Sequence, residues 1–224
     1  MICFGHRGAS GYEPENTLRS FKRAIEFGCD WIELDVYLAD EHIVVIHDED
    51  LSRTTNGRGR VSTSSFKYLR SLDAGKGEQI PTLEEVVTLV EHQCGINIEL
   101  KGPGTAAAVG NFLAAIHYPK NEILISSFDH REVALMDSVW HRAALFEEAS
   151  SEYVDRALAL NAVSINLDLH LVTKSAVEKA HTAGLKVYVF TVNSPADLGR
   201  MKALAVDGFF SDFPDRVLAM RDSQ

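Results

Sequence analysis

The sequence is organised around the segment Trp31-Ile32-Glu33-Leu34-Asp35-Val36-Tyr37-Leu38, in which aliphatic residues alternate with two carboxylates. Glu33 and Asp35 are two positions apart, so an extended backbone places them on one face and the aliphatic side chains on the other. Two like charges on an inward face repel each other unless a cation lies between them. The segment predicts a strand that carries part of a functional site; the alternative is a strand face in solvent.

Short apolar runs similar to this one recur along the chain and alternate with helical patterns. The runs predict strands near Ile2–Gly5, Trp31–Leu38, Ile43–Ile46, Ile96–Leu100, Ile123–Ser126, Ala143–Phe146, Ala162–Ile165, Val187–Val192 and Gly208–Phe210. Thr17–Glu26 has apolar residues at helical spacing, and Thr82 with Glu85 forms a capping box for another helix. Gly28, Gly95 and Gly184 predict helix ends.

The repeated strand-then-helix units predict a parallel sheet. About eight units in 224 residues favour a closed (β/α)8 TIM-type barrel, which forms a single domain over residues 1–224. The alternative, an open doubly wound sheet, should have a G-x-G-x-x-G loop after its first strand, and the sequence has none. Residues 48–80 break the alternation, so we expect a small insertion after the second β-unit, over one end of the barrel.

The overall composition excludes several classes of protein. A formal net charge of −10 argues against nonspecific nucleic-acid binding. Cys3, Cys29 and Cys94 have no metal-finger or redox spacing, which predicts buried, reduced thiols. No apolar run reaches membrane-spanning length, and the segment Met1–Phe4 is too short and uncharged for a signal peptide. We therefore expect a cytoplasmic protein.

Ionisable residues collect where the predicted strands end. In a barrel of parallel strands, the carboxyl ends of the strands form the active site. The candidate residues at these ends are His6, Arg7, Glu33, Asp35, His47, Glu99 and Lys101. Three carboxylates offer only oxygen ligands, so they favour Mg²⁺ or Ca²⁺ over Zn²⁺.

The remaining four candidates have complementary chemistry. Arg7 and Lys101 supply positive charge for a phosphate group, and His6 and His47 transfer protons near neutral pH. Each residue alone has a simpler interpretation, such as a surface ion pair or a hydrogen-bonded structural histidine. Their shared location at one end of successive strands favours a common site.

The ordered motifs resemble the glycerophosphodiester phosphodiesterase family. The matching segments run over nearly the whole chain: His6-Arg7-Gly8, Pro14-Glu15-Asn16-Thr17, Glu33-Leu34-Asp35-Val36, His47-Asp48, Leu51–Gly57, Ile80–Glu85, Ile98–Lys101, Thr191-Val192-Asn193 and Asp207–Asp212. The resemblance implies a (β/α)8 barrel with an insertion, and metal ligation by Glu33, Asp35 and Glu99. It also implies acid–base catalysis by His6 and His47, with phosphate binding by Arg7 and Lys101.

The same resemblance implies metal-dependent hydrolysis of a small glycerophosphodiester to glycerol 3-phosphate and an alcohol. Phe190 stands where the family often has Trp, and Ser211 where it often has Thr, so Phe190 is expected to shape the substrate pocket. The alternatives are a lysophospholipase D or another phosphodiesterase on the same barrel, a catalytically silent sensor, and an aldolase or isomerase. Neither the alcohol head group nor the oligomeric state follows from the sequence.

Overall fold

Eight parallel strands close into a barrel in the computed structural model, which describes residues 1–222. The barrel strands, together with β3, which lies outside the barrel, are β1 (Ile2–Gly5), β2 (Trp31–Ala39), β3 (His42–Val45), β4 (Gly95–Leu100), β5 (Ile123–Ser127), β6 (His141–Phe146), β7 (Ser164–Asp168), β8 (Lys186–Phe190) and β9 (Gly208–Ser211). Around the barrel the order is β1, β2, β4, β5, β6, β7, β8, β9 and back to β1. The predicted (β/α)8 architecture is confirmed.

Helices cover the outside of the barrel, apart from one short helix that lies within residues 48–80. They are α1 (Leu18–Phe27), α2 (Phe66–Leu69), α3 (Leu83–Val90), α4 (Thr105–Ala115), α5 (His130–Leu135), α6 (Tyr153–Ala159), α7 (Lys174–Thr182), α8 (Pro195–Ala203) and α9 (Pro214–Asp222). Ile32, Leu34 and Val36 face these helices in the main apolar core. Because side chains alternate along a strand, Glu33 and Asp35 face the barrel interior.

A separate apolar cluster fills the lower part of the barrel interior. It consists of Phe4, Leu124, Ala143, Tyr188 and Phe210. Phe4 stacks on Phe210 with 4.3 Å between the ring centroids. Since this cluster plugs the barrel, polar chemistry is confined to the carboxyl ends of the strands.

The predicted helix signals are confirmed at Thr82, at Gly28 and at Gly184, which follows α7 in the left-handed conformation, and wrong at Gly95. Thr82 accepts a hydrogen bond from Glu85 N, and the Glu85 side chain accepts one from Thr82 N, which completes the capping box. Gly28 ends α1 in the left-handed conformation. Gly95 does not end a helix, because α3 ends five residues earlier, at Val90, and Gly95 begins β4. A Cβ atom at Gly95 would lie 2.3 Å from the Trp31 ring.

The predicted strand at Ile43–Ile46 exists, but it is not a barrel strand. β3 runs antiparallel to β2, in a register that pairs Val36 with Val45 and Ala39 with His42. The connecting Asp40 and Glu41 have positive φ angles, as a two-residue hairpin turn requires. β2 extends beyond the barrel rim, so the hairpin brings the chain back to that rim.

Residues 48–80 pack with the β2–β3 hairpin around a second small apolar cluster. Its buried members include Leu51, Val61, Leu69, Leu72 and Ile80. Arg70 connects this segment to the barrel through two hydrogen bonds to the Glu85 carboxylate, at 2.7 and 2.8 Å.

The three cysteines are free and buried, as predicted. Among residues 1–222, no helix has both the length and the apolar character needed to cross a membrane.

Candidate active site

One cavity of about 190 Å³ lies at the carboxyl ends of the strands. The residues that line it are His6, Arg7, Glu33, His47, Asn97, Glu99, Lys101, Ser126, Phe128, Leu145, Glu147, Asn166, Phe190, Thr191 and Phe210. Seven of the eight predicted site residues are in this set. The eighth, Asp35, is buried beside them and is 1% exposed.

A tight turn after β1 directs His6 and Arg7 to the cavity. Arg7 has a φ angle of 53°, and its backbone N–H donates to Glu33 Oε2 at 2.8 Å. Gly8 follows with a φ angle of 83°, and a Cβ atom there would lie 2.4 Å from Ser20 Oγ. The glycine therefore lets α1 approach the turn closely.

Glu33, Asp35 and Glu99 form an acidic triad. One ligand oxygen from each residue lies within 4.8 Å of the others, and all three side chains are buried. The register of β2 and β4 produces this arrangement, because Asp35 pairs with Glu99. Two strands thus place three carboxylates in one small volume.

Burial and like charges oppose ionisation of two triad members. Burial, together with the charges of Asp35 and Glu99, raises the pKa of Glu33 well above its usual value. Burial likewise raises the pKa of Glu99 to about 7. Burial also disfavours the charged form of Asp35, but Lys101 and Arg7 outweigh it and lower the pKa of Asp35 to about 2.

Two oxygens of the triad lack hydrogen-bond partners within residues 1–222. Lys101 Nζ forms ion pairs with Glu99 and, at 3.3 Å, with Asp35. Nevertheless Asp35 Oδ1 and Glu99 Oε1 accept no well-aligned hydrogen bond within the described residues. Buried carboxylate oxygens without partners are costly, and a divalent cation satisfies several of them at once. The donor set therefore fits a hard metal ion.

A carboxylate holds each of the two histidines through Nδ1. His6 Nδ1 lies 2.7 Å from Asp212 Oδ1, at the residue that follows β9. Asn193 Nδ2 donates to Asp212 at 2.6 Å, and Ser10 Oγ donates at 2.9 Å. Although burial opposes ionisation, the hydrogen bonds from His6, Asn193 and Ser10 lower the pKa of Asp212 to about 2. The ionised Asp212 can only accept, so His6 Nδ1 carries the proton and Nε2 is left for chemistry.

His47 is held in a similar way. Its Nδ1 atom lies 2.5 Å from Asp48 Oδ1. Arg53 pairs with Asp48 and donates to both oxygens of Glu15 at 2.8 Å. Glu15 in turn accepts from Arg7 at 2.8 Å. Burial lowers the pKa of His47, which favours its neutral form.

The far wall of the cavity is apolar except at its rim. Phe128 and Phe190 meet edge to face with 5.8 Å between their centroids, and Leu145 adds to the same wall. On the floor, Asn97 Oδ1 and Asn166 Nδ2 have no hydrogen-bond partner within the described residues.

Several residues of the site were given no role in the sequence analysis. Four of them lie within the family motifs quoted above, and those motifs could have identified them: Asp48, Asp212, Glu15 and Asn193. Phe128, Glu147 and Asn166 lie outside those motifs, at or near the ends of β5, β6 and β7. All three occupy alternate positions that face the barrel interior. The alternation of side chains that located Glu33 and Asp35 would therefore have located them as well. The position of His47 was predicted correctly for a wrong reason, since it follows a hairpin strand and not a barrel strand.

Comparisons with known proteins agree on one family. The model of the glycerophosphoryl diester phosphodiesterase family matches residues 6–216. A glycerophosphodiester phosphodiesterase of Caldanaerobacter subterraneus is 36% identical, with 97% of this chain and 96% of that protein covered. One from Bacillus altitudinis is 35% identical, with 98% and 97% covered.

A solved structure gives the same result. An Oleispira antarctica phosphodiesterase, in complex with the product sn-glycerol-3-phosphate, superposes with a TM-score of 0.93 at 31% identity. The match covers 99% of this chain and 97% of that one. By sequence, fold and the residues gathered at the barrel rim, the chain belongs to the glycerophosphoryl diester phosphodiesterase family.

Proposed function

We propose that the chain hydrolyses small glycerophosphodiesters to sn-glycerol 3-phosphate and a free alcohol, in a metal-dependent reaction. The observation that carries the proposal is the close approach of the Glu33, Asp35 and Glu99 oxygens, within 4.8 Å, beside two carboxylate-held histidines. The Oleispira phosphodiesterase that this chain resembles binds the corresponding product. A cavity of about 190 Å³ suits a small polar diester.

Glu33, Asp35 and Glu99 would hold the metal, and their all-oxygen donor set favours Mg²⁺ or Ca²⁺. When bound, such an ion neutralises the carboxylates and lowers the pKa of a nearby hydroxyl. Arg7 and Lys101 would bind the phosphate oxygens. Both cations are fixed by acidic partners, Arg7 by Glu15 and Lys101 by the triad, so they need little reorganisation when the substrate binds.

His6 and His47 would act as the acid–base pair. One histidine Nε2 accepts the proton of a glycerol hydroxyl as that oxygen bonds to phosphorus. The other histidine donates its Nε2 proton to the alcohol oxygen as the phosphorus–oxygen bond to the alcohol breaks. Water then opens the resulting cyclic phosphate with the proton transfers reversed. Such acid–base assistance is worth about 10²–10⁴-fold in rate.

We also propose that residues 1–224 form one catalytic domain in which residues 48–80 are an insertion. Arg53 of the insertion supports this proposal, because it pairs with Glu15 outside the insertion and with Asp48, which holds His47. The insertion would thereby stabilise the position of His47.

The test is release of glycerol 3-phosphate from glycerophosphocholine. The protein is treated with EDTA, then Mg²⁺ or Ca²⁺ is restored, and the product is read by a coupled dehydrogenase. Metal-dependent release is expected in the wild type, with a loss of at least about 100-fold in His6→Ala and His47→Ala. His117→Ala, at an exposed histidine outside the cavity, serves as the control. The absence of release with several head groups and both metals would refute the proposal.

A further inference from the structure

The cavity has a carboxylate that the proposed reaction does not use. Glu147 follows β6, and it lines the cavity together with Leu145. Ala143 and Leu145 face the barrel interior, so Glu147 continues the inward side of the same strand. Its side chain is exposed, and within residues 1–222 it forms no hydrogen bond or ion pair.

Glu147 lies far from the phosphate-binding side of the cavity. Around the barrel, β6 is four strands from β1 in either direction, so the two strands are opposite each other. Arg7, Lys101 and the acidic triad all belong to β2, β4 and the turn after β1. If these groups hold the glycerol phosphate, as proposed above, the alcohol part of the substrate extends toward β6.

The wall beside Glu147 is suited to a bulky cation. Phe128 and Phe190 form its aromatic surface, and aromatic rings attract weakly hydrated cations. Lys101 Nζ, which pairs with Asp35 and Glu99, already lies 5.5 Å from the Phe128 centroid, so this ring accommodates a cation in the structure. The other lining carboxylates, Glu33 and Glu99, are members of the metal triad. Glu147 is therefore the lining carboxylate left for a substrate charge.

We propose that Glu147, Phe128 and Phe190 form a subsite for a positively charged alcohol, such as one that ends in a substituted ammonium group. This inference rests on the proposed diester hydrolysis and extends it to a preference among head groups. Glu147 is a specificity residue in this scheme, because it contacts the leaving alcohol and not the reacting phosphorus.

The test compares two substrates that differ by one atom. Glycerophosphocholine carries a trimethylammonium group, and its carbon isostere carries a neutral tert-butyl group of nearly the same shape. Both release glycerol 3-phosphate, so one assay measures kcat/KM for each. The wild type should prefer the cation by about ten-fold, as expected for one exposed charge pair with an aromatic contribution. Glu147→Gln should remove most of this preference without lowering kcat/KM for the neutral isostere.

Glu148→Gln is the matched control. It removes the same charge from the adjacent residue, which is exposed and does not line the cavity. It should retain the wild-type preference, whereas Glu147→Lys should disfavour the cationic substrate relative to the wild type.

Three outcomes would overturn the inference. A wild type that does not distinguish the two substrates has no cation subsite. A preference that persists in Glu147→Gln, or an equal loss for both substrates, would remove Glu147 from head-group recognition while leaving the hydrolysis intact. No turnover of either substrate by the wild type with metal would refute the hydrolysis itself, and this inference with it.

Discussion

Each proposed catalytic histidine has a carboxylate on its Nδ1 atom, and that contact orients the ring. Asp212 holds His6, and Asp48 holds His47. A hydrogen bond of this type fixes the tautomer and the direction of the other ring nitrogen. Neither aspartate is expected to touch the substrate, so both are positioning residues.

Asp212→Asn tests this role. The amide would accept less well from His6 Nδ1 and would disturb the ring orientation, so we expect kcat to fall about 10–100-fold. KM and the metal concentration for half-maximal activity should change little, because Asp212 is not part of the acidic triad. Steady-state kinetics at saturating metal give both values.

Asp215→Asn is a suitable control for this variant. Asp215 is three residues away in sequence and accepts a hydrogen bond from exposed Tyr12, outside the cavity. Near-normal kcat in Asp212→Asn would exclude Asp212 from positioning His6.

The same aspartate predicts a pH dependence of stability. The folded-state pKa of Asp212 is about 2, below its usual value of 3.8, so its ionised form stabilises the folded protein above pH 4. This contribution, about 1–2 kcal/mol, is lost as the pH falls from 4 through 2. Urea unfolding over that range should show a smaller loss in Asp212→Asn than in the wild type. Equal losses of stability in the two proteins would mean that the ionised form of Asp212 does not stabilise the folded state.

At the scale of secondary-structure elements, the hairpin of β2 and β3 determines where His47 lies. β2 continues past the barrel rim to Ala39, and β3 returns antiparallel to it. Ile46 N then donates to Asp35 O, which places the next residue at the cavity. The length of β2 therefore helps to determine the position of His47.

Leu69→Ala tests whether residues 48–80 form a separately stabilised unit. Leu69 is fully buried in the apolar cluster of this segment. Its truncation should therefore lower the free energy of unfolding of the segment by about 2–4 kcal/mol. Limited proteolysis and amide hydrogen exchange should show this segment opening before the barrel strands do. Lys67→Ala, at an exposed position on the same helix, should behave as the wild type. Equal loss of protection throughout the barrel would show that the segment and the barrel unfold together.

Most strands and helix caps could be predicted because their signals are local. The period of two in β2 located Glu33 and Asp35, and the Thr82 capping box located the start of α3. The direction of β3 could not be predicted from composition, because a four-residue apolar run has the same appearance in either orientation. Gly95 was misassigned as a helix end for a related reason: strand packing against Trp31 also requires a glycine.

At the scale of the whole molecule, metal binding should be visible in stability as well as in activity. A ligand that binds only the folded state, at a concentration one hundred times its Kd, raises the free energy of unfolding by about 2.7 kcal/mol. For a domain of this size, that corresponds to a rise in Tm of about 5–10 °C. Thermal unfolding in EDTA and then with Mg²⁺ or Ca²⁺ measures this shift.

Glu99→Gln should lose most of the metal-induced shift, because it removes one of the three ligands. Its Tm in EDTA should be no lower than that of the wild type, since the substitution also removes like-charge repulsion within the triad. Glu178→Gln, at an exposed helix position, should keep the full shift. An equal shift in Glu99→Gln would place the metal elsewhere.

The contacts between distant elements were the part of the site least accessible from sequence. The acidic triad is formed by neighbouring strands and follows from their register. The His6–Asp212 contact forms only because β9 pairs with β1 and closes the barrel. No local pattern encodes that contact, although the motif containing Asp212 marked the segment as important.

Barrel closure has a consequence for the timing of protein synthesis. His6 and Asp212 are separated by 206 positions. A ribosome that adds about 5–20 residues per second needs roughly 10–40 s to synthesise this interval. During that time the nascent chain carries its first histidine without the partner that orients it. Catalytic activity should therefore appear only after the final strand has left the ribosomal tunnel, so stalled chains of defined length would report when the barrel closes.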